Sequence, residues 1–413
     1  MKALHEHPAI SQQRDLPARK VVLVDFYDEG HHRSFVNLYA QVLAESGQEV
    51  VVMCPFPVED IDSYLHRRVS HVMLGNSKLY NVSSFFSSLR LLWSISRIIR
   101  HVDNINIVFF LDELPYMQKW PGLVIDVLFP FPWGVLNMHP ILEEKDNSIL
   151  RRLKVKFFGT KSISEKYLSS RYLKFVAFLS ERAPQTYKQY FPHHVFAWLP
   201  DASHERLPSK PGRIAAEIQE ASKGRTIVTI AGSLERRKGL YEMMYLAMNA
   251  DPSRYFFAFC GKPCWETFED FGRLFQEFRA LAPMNCYFHL EFISDLGDEN
   301  EFDSIIQFSD IIFSAMDGYE HSSNVLTKAA HMRRPVIVSG RGICALRTMK
   351  YRLGAVIPEK DVFCSLRALE SLTATTYDGA WDDYKRDFSV LRLSEALVKL
   401  FERIGAEPKK FRA

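Results

Sequence analysis

The sequence predicts an α/β protein built from two Rossmann-like, doubly wound domains that face a cleft. Short β-branched or aromatic runs alternate with helix-length amphipathic stretches from residue 20 onward, which is typical of βα units around parallel sheets. The alternation restarts after a polar loop at 200–204, where we place the domain boundary. The length of 413 residues corresponds to roughly two to three domains. We therefore assign 20–200 to an N-terminal domain and 201–390 to a C-terminal domain.

The predicted elements follow one another in a regular order along the chain. In the N-terminal half, strands are expected at 21–25, 50–54, 69–74, 105–111, 134–138, 175–179 and 195–199, with helices at 33–46, 84–99 and 148–154. In the C-terminal half, strands are expected at 227–231, 255–260, 287–292, 311–314 and 335–338, with helices at 238–249, 267–280, 324–332 and 345–351. A last helix at 391–404, within the terminal segment 391–413, is long enough to cross back to the N-terminal domain. Residues 1–19 are polar and are expected to form a disordered tail.

The composition is that of a globular protein in a reducing compartment. Hydrophobic residues make up 47% and charged residues 24%, a balance that supports large cores and excludes a disordered or fibrous chain. The net charge of +3 comes from 52 basic and 49 acidic side chains, which argues against a dedicated nucleic-acid binder. The six cysteines lie mostly in apolar runs, and no stretch reaches the roughly 18 uninterrupted apolar residues of a membrane span. We expect a cytoplasmic protein.

The turn after the predicted strand 227–231 has the pattern of a phosphate-binding site. Gly232 lacks a side chain, so backbone N–H groups can approach an anion there. A helix is expected to start near Lys238, whose ammonium group can reach the same place. The alternative is an ordinary βα turn followed by a solvated run of charges.

A second loop, after the predicted strand 311–314, complements this turn. Glu320 precedes Ser322, Ser323 and Asn324, a run of good N-cap residues whose exposed N–H groups would face a diphosphate. The alternative is that the run only caps a helix and that Glu320 is a solvated loop acid.

Together the two segments resemble the C-terminal half of retaining GT-B glycosyltransferases of the glycosyltransferase family 4 type. In that family a Gly-Arg-Leu-x-x-x-Lys-Gly turn and a Glu-x7-Glu motif, followed by Ala-x-x-x-Gly-x-Pro-Val-Ile, form the nucleotide-sugar site. The residues that match these motifs are Gly232, Leu234, Lys238, Gly239, Glu320, Ala329 and Pro335-Val336-Ile337. The chain departs from the pattern at Ser233, where the family usually has Arg, and at Lys328, where the second Glu falls.

The resemblance implies a role for several of these residues. Lys238 would neutralise the donor diphosphate, and Glu320 would lie beside the donor sugar. The family's second Glu binds the ribose hydroxyls, and an ammonium at Lys328 cannot accept those hydrogen bonds, so nucleotide recognition must differ. Arg236 or Arg237 could supply the charge lost at Ser233. The donor-binding residues expected from both segments are Gly232, Ser233, Arg237, Lys238, Glu320, Ser322, Ser323, Asn324 and Lys328.

Residues at the ends of three predicted N-terminal strands are candidates for the acceptor side of the cleft. Gly30 fits a tight βα turn, and the adjacent His31 and His32 could bind a substrate hydroxyl or, as the favoured alternative, cap the next helix. Asp112 and Glu113 could position or deprotonate an acceptor, or could be structural. By resemblance, His139 lies where the family often has a histidine lining the sugar pocket, and we group it with Glu320 and Lys238 as a candidate catalytic residue.

The sequence gives only weak support for a metal site, a hydrolase or a dehydrogenase. Asp60 and Asp62 are explained by the favourable position of acids at a helix start, and Cys260 with Cys264 lacks a second pair at zinc-finger spacing. No Gly-x-Ser-x-Gly or Gly-x-Gly-x-x-Gly motif supports a hydrolase or a dehydrogenase. We expect no metal and no cofactor, because the nucleotide-diphosphate sugar is a co-substrate.

A basic and aromatic segment at 151–174 suits contact with an anionic membrane surface or a phosphate-bearing lipid acceptor. The predicted helix 84–99 could extend that surface, although core packing of an α/β helix is the favoured alternative. The predicted protein is then cytoplasmic, with peripheral contact to the inner face of the cell membrane as an option.

The sequence thus predicts a glycosyltransferase that moves a sugar from a nucleotide-diphosphate donor to a polysaccharide, a glycolipid or another acceptor without a metal. Retention of the anomeric configuration is implied by the resemblance alone. Two alternatives stay open, because Ser233 and Lys328 depart from the family pattern. One is a catalytically silent relative that binds a partner or a sugar nucleotide, and the other is a sugar-nucleotide epimerase.

Overall fold

A computed structural model describes residues 20–27, 32–58, 65–74, 85–113, 117–140, 166–203, 208–264, 269–281, 284–291, 293, 299–374 and 377–405. The predicted tail at 1–19, Gly30, His31, the Asp60 and Asp62 pair, the predicted helix 148–154 and most of the basic segment 151–174 lie outside the described residues.

Two sheets, parallel throughout, form the centres of the two domains, and the predicted fold class of two doubly wound α/β domains is confirmed. The first sheet has seven strands in the order β3-β2-β1-β4-β5-β6-β7. They are β1 (Lys20–Val24), β2 (Glu49–Cys54), β3 (Val69–Met73), β4 (Ile105–Phe110), β5 (Trp133–Asn137), β6 (Leu173–Phe178) and β7 (Phe196–Trp198). The second sheet has six strands in the order β10-β9-β8-β11-β12-β13. They are β8 (Thr226–Ala231), β9 (Tyr255–Cys260), β10 (Cys286–His289), β11 (Ile311–Ser314), β12 (Val336–Ser339) and β13 (Gly354–Ile357).

Helices cover both faces of each sheet, as the burial of whole strands requires. In the first half they are α1 (His32–Glu45), α2 (Phe85–Ile99), α3 (Gly122–Leu128) and α4 (Ala183–Tyr190). In the second half they are α5 (Arg213–Ser222), α6 (Leu240–Asn249), α7 (Glu269–Leu281), α8 (Glu299–Gln307), α9 (Asn324–His331), α10 (Ile343–Tyr351), α11 (Val362–Thr373), α12 (Trp381–Asp387) and α13 (Val390–Arg403). None of the helices in the described ranges is long and apolar enough to cross a membrane.

The last helix, α13, packs on the N-terminal domain. Leu393, Leu397 and Phe401 are buried in the same core as residues of β1 and α1, and the ring of Phe401 lies 6.2 Å from that of Phe175 on β6. These apolar residues recur every three or four positions, so they form one face of the helix. The first and the last described segments of the chain therefore contribute to one hydrophobic core.

The strand orders place a crevice at a defined point of each sheet. The connections run outward in opposite directions from β1 and β4 in the first sheet and from β8 and β11 in the second. Ligands of open α/β sheets bind beyond the carboxyl ends of the strands at such a reversal. The loops after these four strands are therefore the ones that can form a site.

Candidate functional site

A cavity of about 1100 Å³ lies between the two domains, beyond the carboxyl ends of their strands. The N-terminal domain contributes His32, His139 and Leu179 to its wall. The C-terminal domain contributes the turns after β8 and β9 and the loop after β11. A concave site of this size that is lined by both domains can enclose a ligand of the size of a nucleotide sugar.

Most of the predicted site residues meet at this cavity. Those that line it are His32, His139, Gly232, Ser233, Arg237, Lys238, Ser322, Ser323, Asn324 and Lys328. Glu320, Asp112 and Glu113 are not among the described residues that line it. Gly30 and His31 lie outside the described residues.

The turn after β8 brings two main-chain segments into close contact. Gly232 has a φ of +103° and Gly261, after β9, a φ of +140°. A Cβ atom on Gly261 would lie 1.6 Å from the carbonyl oxygen of Gly232. Only glycine fits this approach, which keeps the wall of the cavity free of side chains at this point.

The helix predicted to start near Lys238 is present as α6, which starts at Leu240. Lys238 itself ends a 3₁₀ turn, Arg236–Lys238, and is separated from α6 by Gly239, whose φ of +81° is left-handed. The reversal at Gly239 breaks the helical pattern, which the amphipathic spacing of the segment did not reveal. Lys238 consequently lies on the turn itself and lines the cavity.

The charges around Lys238 form a compact group. Its Nζ donates a hydrogen bond to Ser233 Oγ and lies 3.9 Å from Glu235 Oε1. Ser233 in turn donates to Glu235 Oε1 at 2.7 Å, and Arg237 Nη2 donates to Glu235 Oε2 at 3.0 Å. One carboxylate therefore faces two cations, and the group carries a net positive charge. Ser233 holds the ammonium of Lys238 in place through this hydrogen bond.

Burial and pairing act on the ionisation of this group in opposite directions. Partial burial holds the pKa of Lys238 below its ordinary value and outweighs the charge of Glu235, which raises that pKa. Burial also raises the pKa of Glu235, but its hydrogen bond from Ser233 and the charges of Lys238 and Arg237 outweigh burial and hold that pKa below its ordinary value. A cation that is partly removed from water attracts an anion more strongly than a solvated one.

The loop after β11 differs in detail from the predicted helix cap. Ser323 occupies the N-cap position of α9, but its side chain makes no capping hydrogen bond. Ser322 Oγ donates instead to Asp201 Oδ2 at 2.5 Å and accepts from Arg347 Nη1. The side chain of Ser322 therefore links this loop to Asp201, which lies on the connection between the two domains.

Lys328 and Glu320 take positions that the resemblance did not anticipate. Lys328 is 5% exposed and forms a buried ion pair with Asp303 on α8. Glu320 is half-buried, while its neighbours Tyr319 and His321 line the cavity. At the position where the resemblance predicts a carboxylate, the chain thus has a cation that Asp303 neutralises.

Two histidines from the two domains meet across the cleft. The rings of His139 and His321 lie 4.5 Å apart in an edge-to-face arrangement. Burial and the charge of Arg237 lower the pKa of His321 to about 4, so its ring is neutral at pH 7. The pair lies between the loop after β11 and the end of β5.

In the N-terminal domain, His32 is oriented by a buried acid. Its Nδ1 lies 3.0 Å from Oδ2 of Asp25, a 1% exposed residue directly after β1, and the ring of Tyr27 lies 4.8 Å from the imidazole ring. Sequence analysis offered capping of α1 as the favoured role of His32. The structure instead gives the side chain a carboxylate partner and a place on the cavity wall.

The carboxyl groups of Asp112 and Glu113 have raised pKa values. Burial raises the pKa of Asp112 to about 7 against the charge of His32, and it raises that of Glu113 to about 7 against a hydrogen bond from Gln118. Both groups follow β4, next to Asp25 at the point where the strand order reverses.

These raised pKa values predict a pH-dependent stability. The folded protein binds more protons than the unfolded chain between about pH 4 and pH 7, so stability is present below that window and is lost as the pH rises through it. The free energy of unfolding of the wild-type protein falls between pH 5 and pH 8. We expect this fall to be smaller in Asp112→Asn, by on the order of 2 kcal/mol. Urea unfolding at the two pH values measures it. Asp103→Asn, at an exposed carboxyl on the same domain, is the control and should leave the difference unchanged.

Several residues at this site were not predicted from the sequence. Asp25, Glu235 and Asp201 were not assigned because their roles depend on partners that only the fold supplies. Lys262, which lines the cavity, could have been found, since it follows Gly261 at the end of β9 as Ser233 follows Gly232 at the end of β8. Among the residues the structure describes, no group of three or more His, Cys, Asp or Glu side chains could hold a metal ion.

Solved structures of other proteins have a fold similar to that of this chain. Neither a protein-family model nor a curated protein matches the sequence. Among solved structures, HepE of Anabaena in complex with UDP and glucose is similar, with a TM-score of 0.63 at 12% identity over 93% of this chain and 100% of that one. The sucrose-phosphate synthase of Thermosynechococcus elongatus gives a TM-score of 0.65 at 15% identity over 94% and 99%. An α,α-trehalose-phosphate synthase (UDP-forming) of Burkholderia vietnamiensis gives 0.65 at 12% identity over 94% and 100%. The chain shares with these proteins the two-domain GT-B fold.

Proposed function

We propose that this protein is a glycosyltransferase that moves a sugar from a nucleotide-diphosphate donor to an acceptor bound by the N-terminal domain. The observation that carries the proposal is the position of Lys238, which lies on a glycine-lined turn at the wall of the interdomain cavity. UDP and UDP-glucose occur in complexes of HepE, which has the same fold, and this supports a nucleotide sugar as the donor.

The charge distribution of the cavity suits departure of a diphosphate. Negative charge develops on the diphosphate as the glycosidic bond breaks, and groups already fixed around that position lower the barrier. Lys238 and the main chain at Gly232 would face this charge from one side. The start of helix α9, with Ser323 at its N-cap, would face it from the other.

The acceptor side of the proposal rests on His32. An imidazole whose Nδ1 is bound to a carboxylate can accept a proton at its other nitrogen, as general-base catalysis requires. The chemical nature of the acceptor, retention of configuration, a cytoplasmic location and peripheral contact with an anionic membrane stay predictions from the sequence.

A second candidate is a catalytically silent protein that binds a sugar nucleotide. The buried pair of Lys328 and Asp303 favours it, because this pair stands where the resembled family has a ribose-binding carboxylate. Turnover separates the two candidates, since both bind the donor.

The test is a panel of UDP-, GDP-, ADP- and TDP-sugars. We expect one of them to raise the melting temperature and to release its nucleoside diphosphate slowly in the absence of an acceptor. Binding without release would favour the silent protein. Absence of any thermal shift across the panel would contradict both.

Replacement of His32 tests the acceptor side separately. We expect His32→Gln to lower the rate of donor consumption by about 100-fold and to leave the Kd of the sugar nucleotide within about twofold, because the donor contacts lie on the other domain. Assays quenched at set times measure the rate of donor consumption. Calorimetry measures the Kd of the sugar nucleotide. An unchanged rate would remove His32 from the reaction.

A further inference from the structure

Two helices of the N-terminal domain expose apolar side chains on one side of the first sheet. Helices α2 and α3 contact each other and pack on the same sheet face, with Leu92 and Ile125 buried in the core that they share with β1 and β4. Because both helices bury one side against the sheet, their opposite sides point away from it. These outward sides of α2 and α3 form one surface, which we call the outer face.

The outer face carries large apolar groups. Phe86 and Trp93 of α2 are 78% and 46% exposed. Leu123 and Val127 of α3 are 74% and 71% exposed. The two pairs are spaced by seven and by four positions, so the members of each pair lie on the same side of their helix. Scattered exposed apolar residues are ordinary, whereas four on two neighbouring helices indicate a surface that contacts another body.

The exposed charges of α2 are positive. Arg90 and Arg97 lie on the same exposed stripe of the helix as Trp93. The guanidinium carbon of Arg97 lies 4.9 Å from the centre of the Trp93 ring. Arg100 directly follows the helix and is also exposed. Cationic and aromatic groups therefore alternate along the outer face.

Acidic side chains are absent from α2 and buried on α3. The sequence of α2 contains no acid, and the one acid of α3, Asp126, is 6% exposed. Asp126 accepts a hydrogen bond from Ser170 Oγ at 2.5 Å and lies 3.7 Å from Nε of the exposed Arg171. Among the side chains that the structure describes on the two helices, the exposed ones are thus apolar or cationic. Such a face repels a second copy of itself and attracts an anionic surface.

A lipid bilayer with anionic headgroups matches both properties of the outer face. Arginines among tryptophan, phenylalanine and leucine are typical of helices that lie in the membrane interface, where apolar groups enter the acyl region and cations meet lipid phosphates. An acidic protein would also attract the arginines. The exposed side of α3 is purely apolar, however, and a fluid acyl phase accommodates it without the shape complementarity that a folded partner requires.

We propose that the outer face binds the surface of a bilayer that contains anionic lipids, with its apolar side chains inserted among the headgroups and its arginines on the lipid phosphates. The proposal goes beyond the proposed function and does not depend on it, because the cleft and the outer face are separate surfaces. The sequence favoured core packing for the predicted helix 84–99, and the structure gives α2 both a core side and an exposed side.

Binding of the full chain to vesicles tests this proposal. We expect the affinity for vesicles of phosphatidylcholine and phosphatidylglycerol at about 7:3 to exceed that for phosphatidylcholine alone by about 10-fold or more, and to fall in about 0.5 M NaCl. Arg90→Gln combined with Arg97→Gln, and separately Trp93→Ser combined with Leu123→Ser, should each lower the affinity for the anionic vesicles about 10-fold or more. The melting temperatures of both variants should stay within about 2 °C of the wild type, since the replaced side chains are exposed.

Helix α13 provides matched controls, because it packs on the opposite face of the same sheet. Arg392 and Lys399 are exposed there, and Leu391 is 70% exposed. Arg392→Gln combined with Lys399→Gln, and separately Leu391→Ser, should leave the affinity for the anionic vesicles within about twofold, since a surface on the far side of the domain lies beyond the reach of a screened charge.

Fluorescence quenching distinguishes direct contact from long-range attraction. Vesicles with brominated acyl chains should quench the wild-type protein more strongly than Trp93→Phe, because Trp93 lies on the outer face. Equal quenching of the two proteins, equal losses in the α13 variants, or an affinity for the anionic vesicles no higher than for phosphatidylcholine would each overturn the proposal. Donor binding is measured without vesicles, so this proposal and the proposed function can fail independently.

Discussion

The Lys238→Ala variant should consume the donor with a kcat/KM about 10²- to 10³-fold below that of the wild type, the loss typical of removing one group that stabilises developing charge. The ammonium is partly buried, lies on the turn at the cavity wall, and is already oriented by Ser233 and Glu235. Most of the loss should be in kcat, because the charge on the diphosphate grows as the bond breaks. Steady-state release of nucleoside diphosphate measures it.

The matched control for this variant lies on the same turn. Arg236 is exposed and is not among the described residues of the cavity wall, so Arg236→Ala removes an equal charge two positions away. We expect its kcat/KM to stay within about threefold of the wild type, since a solvated charge is screened. Equal losses in the two variants would show that the turn contributes only general positive charge, and Lys238 would lose its assigned role.

Replacement of Gly261 by alanine should have the largest effect on stability, about 4 kcal/mol. A side chain at a φ of +140° is strained, and the new Cβ would lie 1.6 Å from the carbonyl oxygen of Gly232, so β8 and β9 must separate at their ends. The same shift moves the main chain that would face the diphosphate. Urea unfolding should give the loss in free energy, and nucleotide affinity should fall with it.

Gly224 provides the comparison for the backbone effect alone. Its φ of +80° is also left-handed, but nothing lies within 4 Å of an added Cβ. We expect Gly224→Ala to cost about 1 kcal/mol and to leave nucleotide affinity unchanged. A similar cost at both glycines would mean that the contact between the two turns is not tight in solution.

Much of the fold could be predicted because strands buried on both faces are continuous apolar runs. The runs at 255–260 and 311–314 were placed to the residue, and most other strands within one or two positions. Strand β13 was missed because it is short, starts at a glycine and is mostly half-buried, so neither composition nor alternation marks it. Helix α3 was missed for a similar reason, since prolines flank a stretch of only seven residues.

The site was only partly predictable, and the difference is physical. Gly232 and Lys238 belong to one local turn, so their spacing in the sequence carries the information. Asp201 accepts a hydrogen bond from Ser322, which itself accepts one from Arg347, and both residues are more than a hundred positions away in the chain. No local pattern marks such a residue, and a loop acid at a domain boundary is otherwise expected to be solvated.

A crystal structure with bound nucleoside diphosphate, using the nucleotide that gives the largest thermal shift, tests most directly the claim that Lys238 and the turn at Gly232 bind a diphosphate. We expect phosphate oxygens about 3 Å from Lys238 Nζ and from main-chain nitrogens of the turn after β8. A nucleotide that binds elsewhere, or that lies in the cavity while Lys238 contacts only Ser233 and Glu235, would contradict the claim.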